Sequence, residues 1–324
     1  MRSGKELIAA TRPFAKEQRG KSWFHLLTTL GVLAGLIAVA AASPWWPLRI
    51  ASSLVAGLVI VRGFILYHDY MHGAILRRSK LAKAIMHSYG VLVLTPPRVW
   101  RQTHNYHHAH TAKIVGSHVG SYMMLTVEMW RTKTTKGQRV LYRIARHPMT
   151  VLFGYATIFL YGMCAASFLR NPRKNWDSLV ALLVHVGLVI GVTLVFGWDV
   201  ALLTIVLPLF VACALGAYLF YAQHNFEEMH IQPRHEWSYT RAALESSSYL
   251  ELGPVMRWFT GNIGFHHVHH LNPTIPFYRL PEAMAEIPEL QNPGKTSLHP
   301  REVLRCFRLK LWDPDAGRMV GFPQ

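Results

Sequence analysis

Acidic residues are scarce in this chain. Seventeen Asp and Glu stand against 34 Lys and Arg, and charged residues make up only 16% of the 324. Soluble domains carry about 25%, so the pattern argues against an ordinary water-soluble enzyme. Cysteine is nearly absent as well. Cys164, Cys213 and Cys306 form no C-x-x-C pair, which excludes a disulfide framework and a cysteine-held iron–sulfur cluster. No basic helix or nucleic-acid motif stands apart from the apolar sequence, so the cationic excess does not mark a nucleic-acid binder. It fits the Lys/Arg-rich cytoplasmic flanks of membrane spans, with docking of an acidic electron donor as a second use of the same surface. The first twenty residues are polar and basic, and no cleavable signal peptide is evident.

What is present is apolar sequence in long runs. Hydrophobic residues make up 51% of the chain. Crossing a hydrocarbon core of about 30 Å takes roughly 20 residues of helix. Residues 23–42 and 48–67 are two such runs, joined by SPWWPL, a turn suited to the membrane interface. Residues 179–198 and 200–222 form a second pair around a short Trp-Asp turn. Residues 81–95 are apolar but too short to cross, and residues 149–169 form a further run. The predicted fold class is all-α: a polytopic membrane protein with four transmembrane helices, one or two re-entrant or in-plane helices, and a cytoplasmic helical cap carrying a histidine-rich dimetal site. Its predicted parts are a basic cytoplasmic N-terminus (residues 1–22), a membrane domain (23–225) and the cap (226–324).

Charge sets the orientation. Arg2, Lys5, Arg12, Lys16, Arg19 and Lys21 place the N-terminus in the cytoplasm. The basic stretches 77–80, 98–147 and 170–177 belong on the same side. The four spans then return every dense histidine cluster to the cytoplasmic face. Arg62, one turn before the end of the second span, is expected to snorkel to that face.

Histidine is the residue in excess, with 19 in the chain. His68 and His72 stand in HDYMH, an i, i+4 pair on one helical face. His104, His107 and His108 stand in HNYHHAH; His266, His269 and His270 stand in HHVHH. Both triplets follow the i, i+3, i+4 pattern. At this histidine content, one HxxHH triplet arises by chance about 0.07 times, and two far less often. His224, in AQHNFEE, ends the last span on the same side. The bland alternatives are interfacial polar residues for His68 and His72, a solvated face for the triplets, and a helix-end cap for His224. Lys, Arg or Glu would serve a solvated face equally well. His110, His118 and His267 fall off the spacing and read as supporting or surface residues. His185, inside a span, reads as a helix–helix hydrogen bond.

Nine imidazoles are too many for one ion, so two ions are implied, each with four or five nitrogens. A closed structural zinc site needs only four ligands, and soluble di-iron bundles use Glu with Glu-x-x-His, which is missing here. An all-nitrogen dinuclear site at a membrane edge suggests redox chemistry on a lipid-soluble substrate, because protein side chains alone do not break an unactivated C–H bond.

The set HDYMH, HNYHH and HHVHH resembles the three histidine boxes of the membrane fatty-acid desaturases. WRQTHNYHHAHT, FYAQHNFEE and SSSYLELGPVMRWFTGNIGFHHVHHLNPTIPFYRLPE extend the resemblance toward the bacterial acyl-lipid members, over residues 50–290 or so. The resemblance implies a centre of two Fe ions with O2 as co-substrate. The implied metal ligands are His68, His72, His104, His107, His108, His224, His266, His269 and His270. It implies a fatty acyl lipid substrate, membrane lipids around the chain, and a ferredoxin-like or other small electron donor. The implied location is the bacterial plasma membrane. Some relatives carry an Asn one turn before the position of His224, holding a metal-bound water; Phe220 stands there instead. Gln223 or Asn262 is a candidate replacement. Asp69, Asn105, Glu227 and Asn262 are candidates to orient ligand rings, with solvated carboxylates as the alternative for Asp69 and Glu227. A hydroxylase or carotenoid oxygenase of the same superfamily would present the same ligands. A metal transporter or sensor would place them nearer the bilayer midplane.

Overall fold

The computed structural model describes residue 2, residues 4–114 and residues 119–323. It is mostly helical. Four helices are long and apolar enough to span a membrane: α1 (Arg19–Ala42), α2 (Trp46–His72), α7 (Trp176–Phe196) and α8 (Trp198–Ala222). Between them lie α3 (Lys80–Leu92), α4 (Pro97–Ala109), α5 (Lys136–Ala145) and the π-wound α6 (Tyr155–Ala166). Pairs α1–α2 and α7–α8 are hairpins with turns of at most three residues. The two turns meet through Arg49, which donates to the Ala40 carbonyl (2.8 Å) and pairs with Asp199 (2.9 Å). Both hairpin tips therefore lie on one side, and the chain between them is on the other.

Helix α2 is the core of the bundle. Two thirds of its apolar window is buried, against 17% for α1 and 11% for α7; the outer two keep most of their apolar surface for lipid. Close approach of α2 to α8 requires Gly57, where a Cβ would sit 2.8 Å from the Pro208 carbonyl. Helix α3 has 13 residues, a length of about 20 Å, so it dips rather than crosses. Ser79 caps its start by accepting from the Ala82 N–H (3.1 Å). Tyr67 and Tyr89 tie α2 to this re-entrant element through the carbonyls of Thr95 and Ile60. The run 149–169 is broken into Pro148–Leu152, α6 and Ser167–Arg170. It is joined to α7 by the hydrogen bond of Tyr155 Oη with His185 Nε2 (2.6 Å), the helix–helix link expected of His185.

The region after α8 contains short helices and two small sheets that hydrophobic periodicity did not announce. Strand β1 (Tyr249–Glu251) pairs in parallel with β2 (Lys295–Ser297); β3 (Leu311–Asp313) pairs antiparallel with β4 (Arg318–Val320). Three-residue strands are too short to show a period of two. Their use is local. The Leu250 N–H donates to the Gly264 carbonyl (2.8 Å), and a Cβ at Gly264 would lie 2.6 Å from the Leu250 oxygen. Just before it, Gly261 and Asn262 both take the left-handed conformation (φ 51° and 56°). This sharp turn delivers α9 (His266–Leu271) to the end of the bundle.

Arg62 corrects an expectation. It does not snorkel to water but is buried, donating to Trp258 O, to Thr29 Oγ1 (3.1 Å) and to His25 Nδ1 (3.1 Å). Burial of the charged group is compensated by these partners and by the Trp258 ring 4.4 Å away.

Candidate metal centre

Four segments bring nine histidines together. The last turns of α2 supply His68 and His72, α4 supplies His104, His107 and His108, His224 follows the end of α8, and α9 supplies His266, His269 and His270. They form two sets. His68, His72, His104, His108 and His269 make one; His107, His224, His266 and His270 make the other, with potential ligand atoms in each set within 4.8 Å of one another. Helix geometry explains the division. Residues i and i+4 are about 40° apart around a helix and i and i+3 about 60° the other way. The pairs 68/72, 104/108 and 266/270 therefore each stay in one set. His107 and His269, the odd members of their triplets, cross into the opposite one. Neither set contains a Cys, Asp or Glu among the described residues.

Hydrogen bonds fix which nitrogen faces inward. The His68 Nδ1–H donates to Asp69 Oδ1 (3.1 Å) and the His224 Nδ1–H to the Ser246 carbonyl (3.0 Å). The Thr111 hydroxyl spends its proton on the His107 carbonyl (2.9 Å), so its oxygen accepts from His270 Nδ1–H (3.2 Å). In each ring the proton sits on Nδ1, and the Nε2 lone pair points into the centre. There Nε2 meets Nε2: His107–His224 and His224–His266 at 3.0 Å, His266–His270, His104–His108 and His108–His269 at 3.1 Å. His72 Nε2 is buried with no hydrogen-bond partner.

Converging lone pairs repel unless a cation lies between them. Two nitrogens each about 2.1 Å from one ion, at right angles, are about 3.0 Å apart, the spacing seen. The donor set therefore fits a metal in each cluster. Burial also keeps the rings ready: it holds His104, His107, His108, His266, His269 and His270 well below the usual histidine range. Burial lowers His224 to about 4, against an opposing contribution from the Ser246 carbonyl. Neutral imidazole is the ligating form.

The supporting residues divide. Asp69 is buried, and its second oxygen accepts from the Phe277 N–H (2.6 Å). Asn262 donates to the Phe277 carbonyl (3.2 Å), so it acts on the Asp69 anchor rather than on an imidazole. Gln223 is buried and donates to the Ile263 carbonyl (2.8 Å). Asn105 and Glu227 do not support the centre. Asn105 is exposed on α4, turned out of the buried face that carries its histidines, and Glu227 is exposed and paired with Arg305 (2.7 Å). His267 is buried but turned away, donating from Nε2 to the Leu290 carbonyl (3.0 Å). His110 stacks on Tyr106 (3.9 Å) and donates to its carbonyl. His118 lies outside the described residues. Sequence reasoning missed Thr111, the Ser246 carbonyl and Trp100, which stacks on His104 at 4.3 Å; a backbone carbonyl brought from a distant segment leaves no mark in sequence.

One cavity of about 520 Å³ reaches the histidines. His68, His104 and His266 are in its wall, so it touches both sets, and the rest is largely apolar: Val61, Phe64, Leu209 and Phe220 among others. Phe220 also lies against the rings of His107 (4.9 Å) and His224 (5.6 Å), and so closes the space where the Asn of some relatives was expected.

A helical bundle with four candidate membrane spans, two buried all-histidine sets capable of holding metal ions, and a largely apolar cavity lined by histidines of both sets has the makings of a membrane metalloprotein site. The chain belongs to the fatty acid desaturase family, an oxidoreductase family, whose sequence profile matches residues 43–301. It is 30% identical to a fatty acid desaturase of Bacillus subtilis over 98% of this chain and 90% of that protein. It is 24% identical to an sn-1 oleoyl-lipid 12-desaturase of Synechocystis (86% and 79% covered). It is 25% identical to an sn-1 acyl-lipid omega-3 desaturase (ferredoxin) of Nostoc (82% and 75%).

Proposed function

We propose that this protein introduces a cis double bond into a saturated fatty acyl chain of a membrane lipid, using O2 and two irons held by the nine histidines. The observation that carries the reading is the cavity: it is largely apolar, within the range of about 300–1,000 Å³ typical of ligand sites, and is lined by His68, His104 and His266 of the two histidine sets. The balanced conversion is R–CH2–CH2–R′ + O2 + 2 e⁻ + 2 H⁺ → R–CH=CH–R′ + 2 H2O. Iron bound here supplies oxidising power that side chains lack. The protein's own part is positioning. Asp69, Thr111 and the Ser246 carbonyl hold three rings with their lone pairs inward. Val61, Phe64, Leu209 and Phe220 take the acyl chain out of water and align it beside His68, His104 and His266. The apolar wall keeps bulk water from the reacting carbon.

Electrons come from outside, from a ferredoxin-like or other small carrier; two Synechocystis and Nostoc relatives carry ferredoxin in their names. The centre faces the cytoplasm of a bacterial plasma membrane. Supporting this, the hairpin tips around Pro44 and Gly197 carry Arg49 alone, paired there with Asp199, while the histidine side is rich in Lys and Arg. Residues 23–225 are then the membrane domain, and residues 1–22 and 226–324 its cytoplasmic parts. The test is expression in a host without the corresponding unsaturated lipid. Mass spectrometry should find new cis-unsaturated acyl chains, abolished by His269→Ala with membrane insertion intact. Unchanged lipids with an iron-loaded, folded protein would refute the reading.

A further inference from the structure

Helix α5 is amphipathic, and its outward apolar stripe is left uncovered by the described residues. The Thr135 hydroxyl and Gln138 side chain form a reciprocal capping box at its start. Tyr142 points inward and is buried. On the outward side Val140, Leu141 and Ile144 are each more than half exposed. Along the adjoining edge run Lys136 and Arg143, both exposed, and Arg139, half-buried and donating to Thr134 Oγ1 (3.0 Å) and the Arg131 carbonyl (2.9 Å). The next segment continues the apolar surface with Met149, Leu152 and Phe153, also exposed. Phe153 meets Phe210 of the spanning helix α8 at 5.6 Å, so this patch is continuous with a surface that faces lipid. No Asp or Glu occurs from Met129 to Trp176. An apolar stripe edged by Lys and Arg is the pattern of a helix lying in the headgroup layer, and a patch of this size is not left to water.

The same helix ends at the mouth of the cavity. Ala145, the last residue of α5, lines it together with Thr150 and Tyr161, and Ala145 and Tyr161 are exposed. The opening therefore faces the side on which the apolar patch lies.

We propose that α5 lies in the plane of the bilayer, its apolar face among acyl chains and Lys136, Arg139 and Arg143 on anionic lipid phosphates, and that the acyl substrate enters sideways past Ala145, Thr150 and Tyr161 while still attached to its membrane lipid. The docking of α5 stands on its own surface; the lateral entry rests on the desaturase reading. Arg143 lies along the rings of Trp130 and Phe322 (5.4 and 5.1 Å), which holds its guanidinium at the basic edge.

The test uses the full protein in lipid nanodiscs. The three native cysteines are buried, so a nitroxide goes selectively to Lys136→Cys, Val140→Cys or Ile144→Cys. Labels at 140 and 144 should collide with O2 and be shielded from a water-soluble nickel chelate; the label at 136 should show the reverse. Equal access of the chelate to all three overturns the docking. In discs of phosphatidylcholine with phosphatidylglycerol, the triple variant Lys136→Glu/Arg139→Glu/Arg143→Glu should retain anionic lipid about fivefold less per basic residue replaced; undiminished retention also overturns it. Ala145→Trp should cut conversion of lipid-borne chains at least tenfold with label depth unchanged, and full conversion overturns the lateral entry. Should the wild-type protein convert no acyl lipid at all, the desaturase reading fails, and the label depths still decide where α5 lies.

Discussion

Asp69→Asn isolates the part played by one buried carboxylate. Its two oxygens accept from two fixed donors, His68 Nδ1–H at 3.1 Å and the Phe277 N–H at 2.6 Å. An amide of the same shape offers one acceptor and one donor group, so one of those bonds must fail. If the amide oxygen stays on Phe277, its NH2 faces His68 Nδ1, and the ring must move its proton to Nε2. That removes one lone pair from the five-histidine set. Disturbing such a support costs about 10- to 100-fold in metal affinity, or about 1.4–2.7 kcal/mol. If the oxygen stays on His68, two donors oppose each other in a buried place, at a cost of about 1–3 kcal/mol of folding stability. Iron(II) affinity, measured by competition with a chromogenic chelator in detergent, and the thermal midpoint together cover both arrangements. The expected result is weaker iron binding by at least tenfold or a clear fall in the midpoint. Iron affinity and midpoint both equal to wild type would refute the claim that Asp69 sets the His68 tautomer.

Three further outcomes follow from the same geometry. Thr111→Val removes the acceptor of His270 Nδ1–H and should weaken iron binding by about tenfold in the chelator assay, with little change in fold because the shape is kept. Gly216 lines the cavity and has nothing within 4 Å of where a Cβ would stand; Gly216→Phe should fill part of the cavity and shift conversion toward shorter chains, read by mass spectrometry, with an unchanged thermal midpoint. In metal-free protein the buried histidines stay neutral when folded, His224 down to a pH of about 4, but become protonated near 6.5 when unfolded. The unfolded chain thus binds more protons as pH falls from about 6.5 toward 4, and stability should drop by about 1.4 kcal/mol per pH unit for each such histidine. Denaturation midpoints at pH 7.5 and 5.5 check the sign; a more stable protein at the lower pH would contradict it.

Much of the architecture was legible because the bilayer imposes a simple rule on length and hydropathy. The four spans lie within a few residues of the apolar runs, and the helix-start shifts arise where interfacial Trp46, Trp176 and Trp198 extend the helices. The histidine spacing was legible for a similar reason: i, i+3, i+4 places imidazoles on one helical face whatever surrounds it. The split into sets of five and four depends on how α4 and α9 face each other, which no local pattern records. Asn105 and Glu227 were misplaced because proximity in sequence to a ligand does not say which way a side chain turns, and both are exposed. Arg62 was misread because a span-end arginine can reach water or a distant carbonyl, and the Trp258 carbonyl comes from 196 residues further along. The π-wound course of α6, where an apolar run of uniform hydropathy carries no period, was equally invisible.

The proposed function requires that each of the two histidine sets hold one iron. Anomalous diffraction from crystals of the full protein, collected on both sides of the iron absorption edge, tests it most directly. Two peaks should appear, one inside the ring of His68, His72, His104, His108 and His269 and one inside that of His107, His224, His266 and His270. A single peak, or a signal that vanishes at the iron edge and persists at that of zinc, would contradict the account.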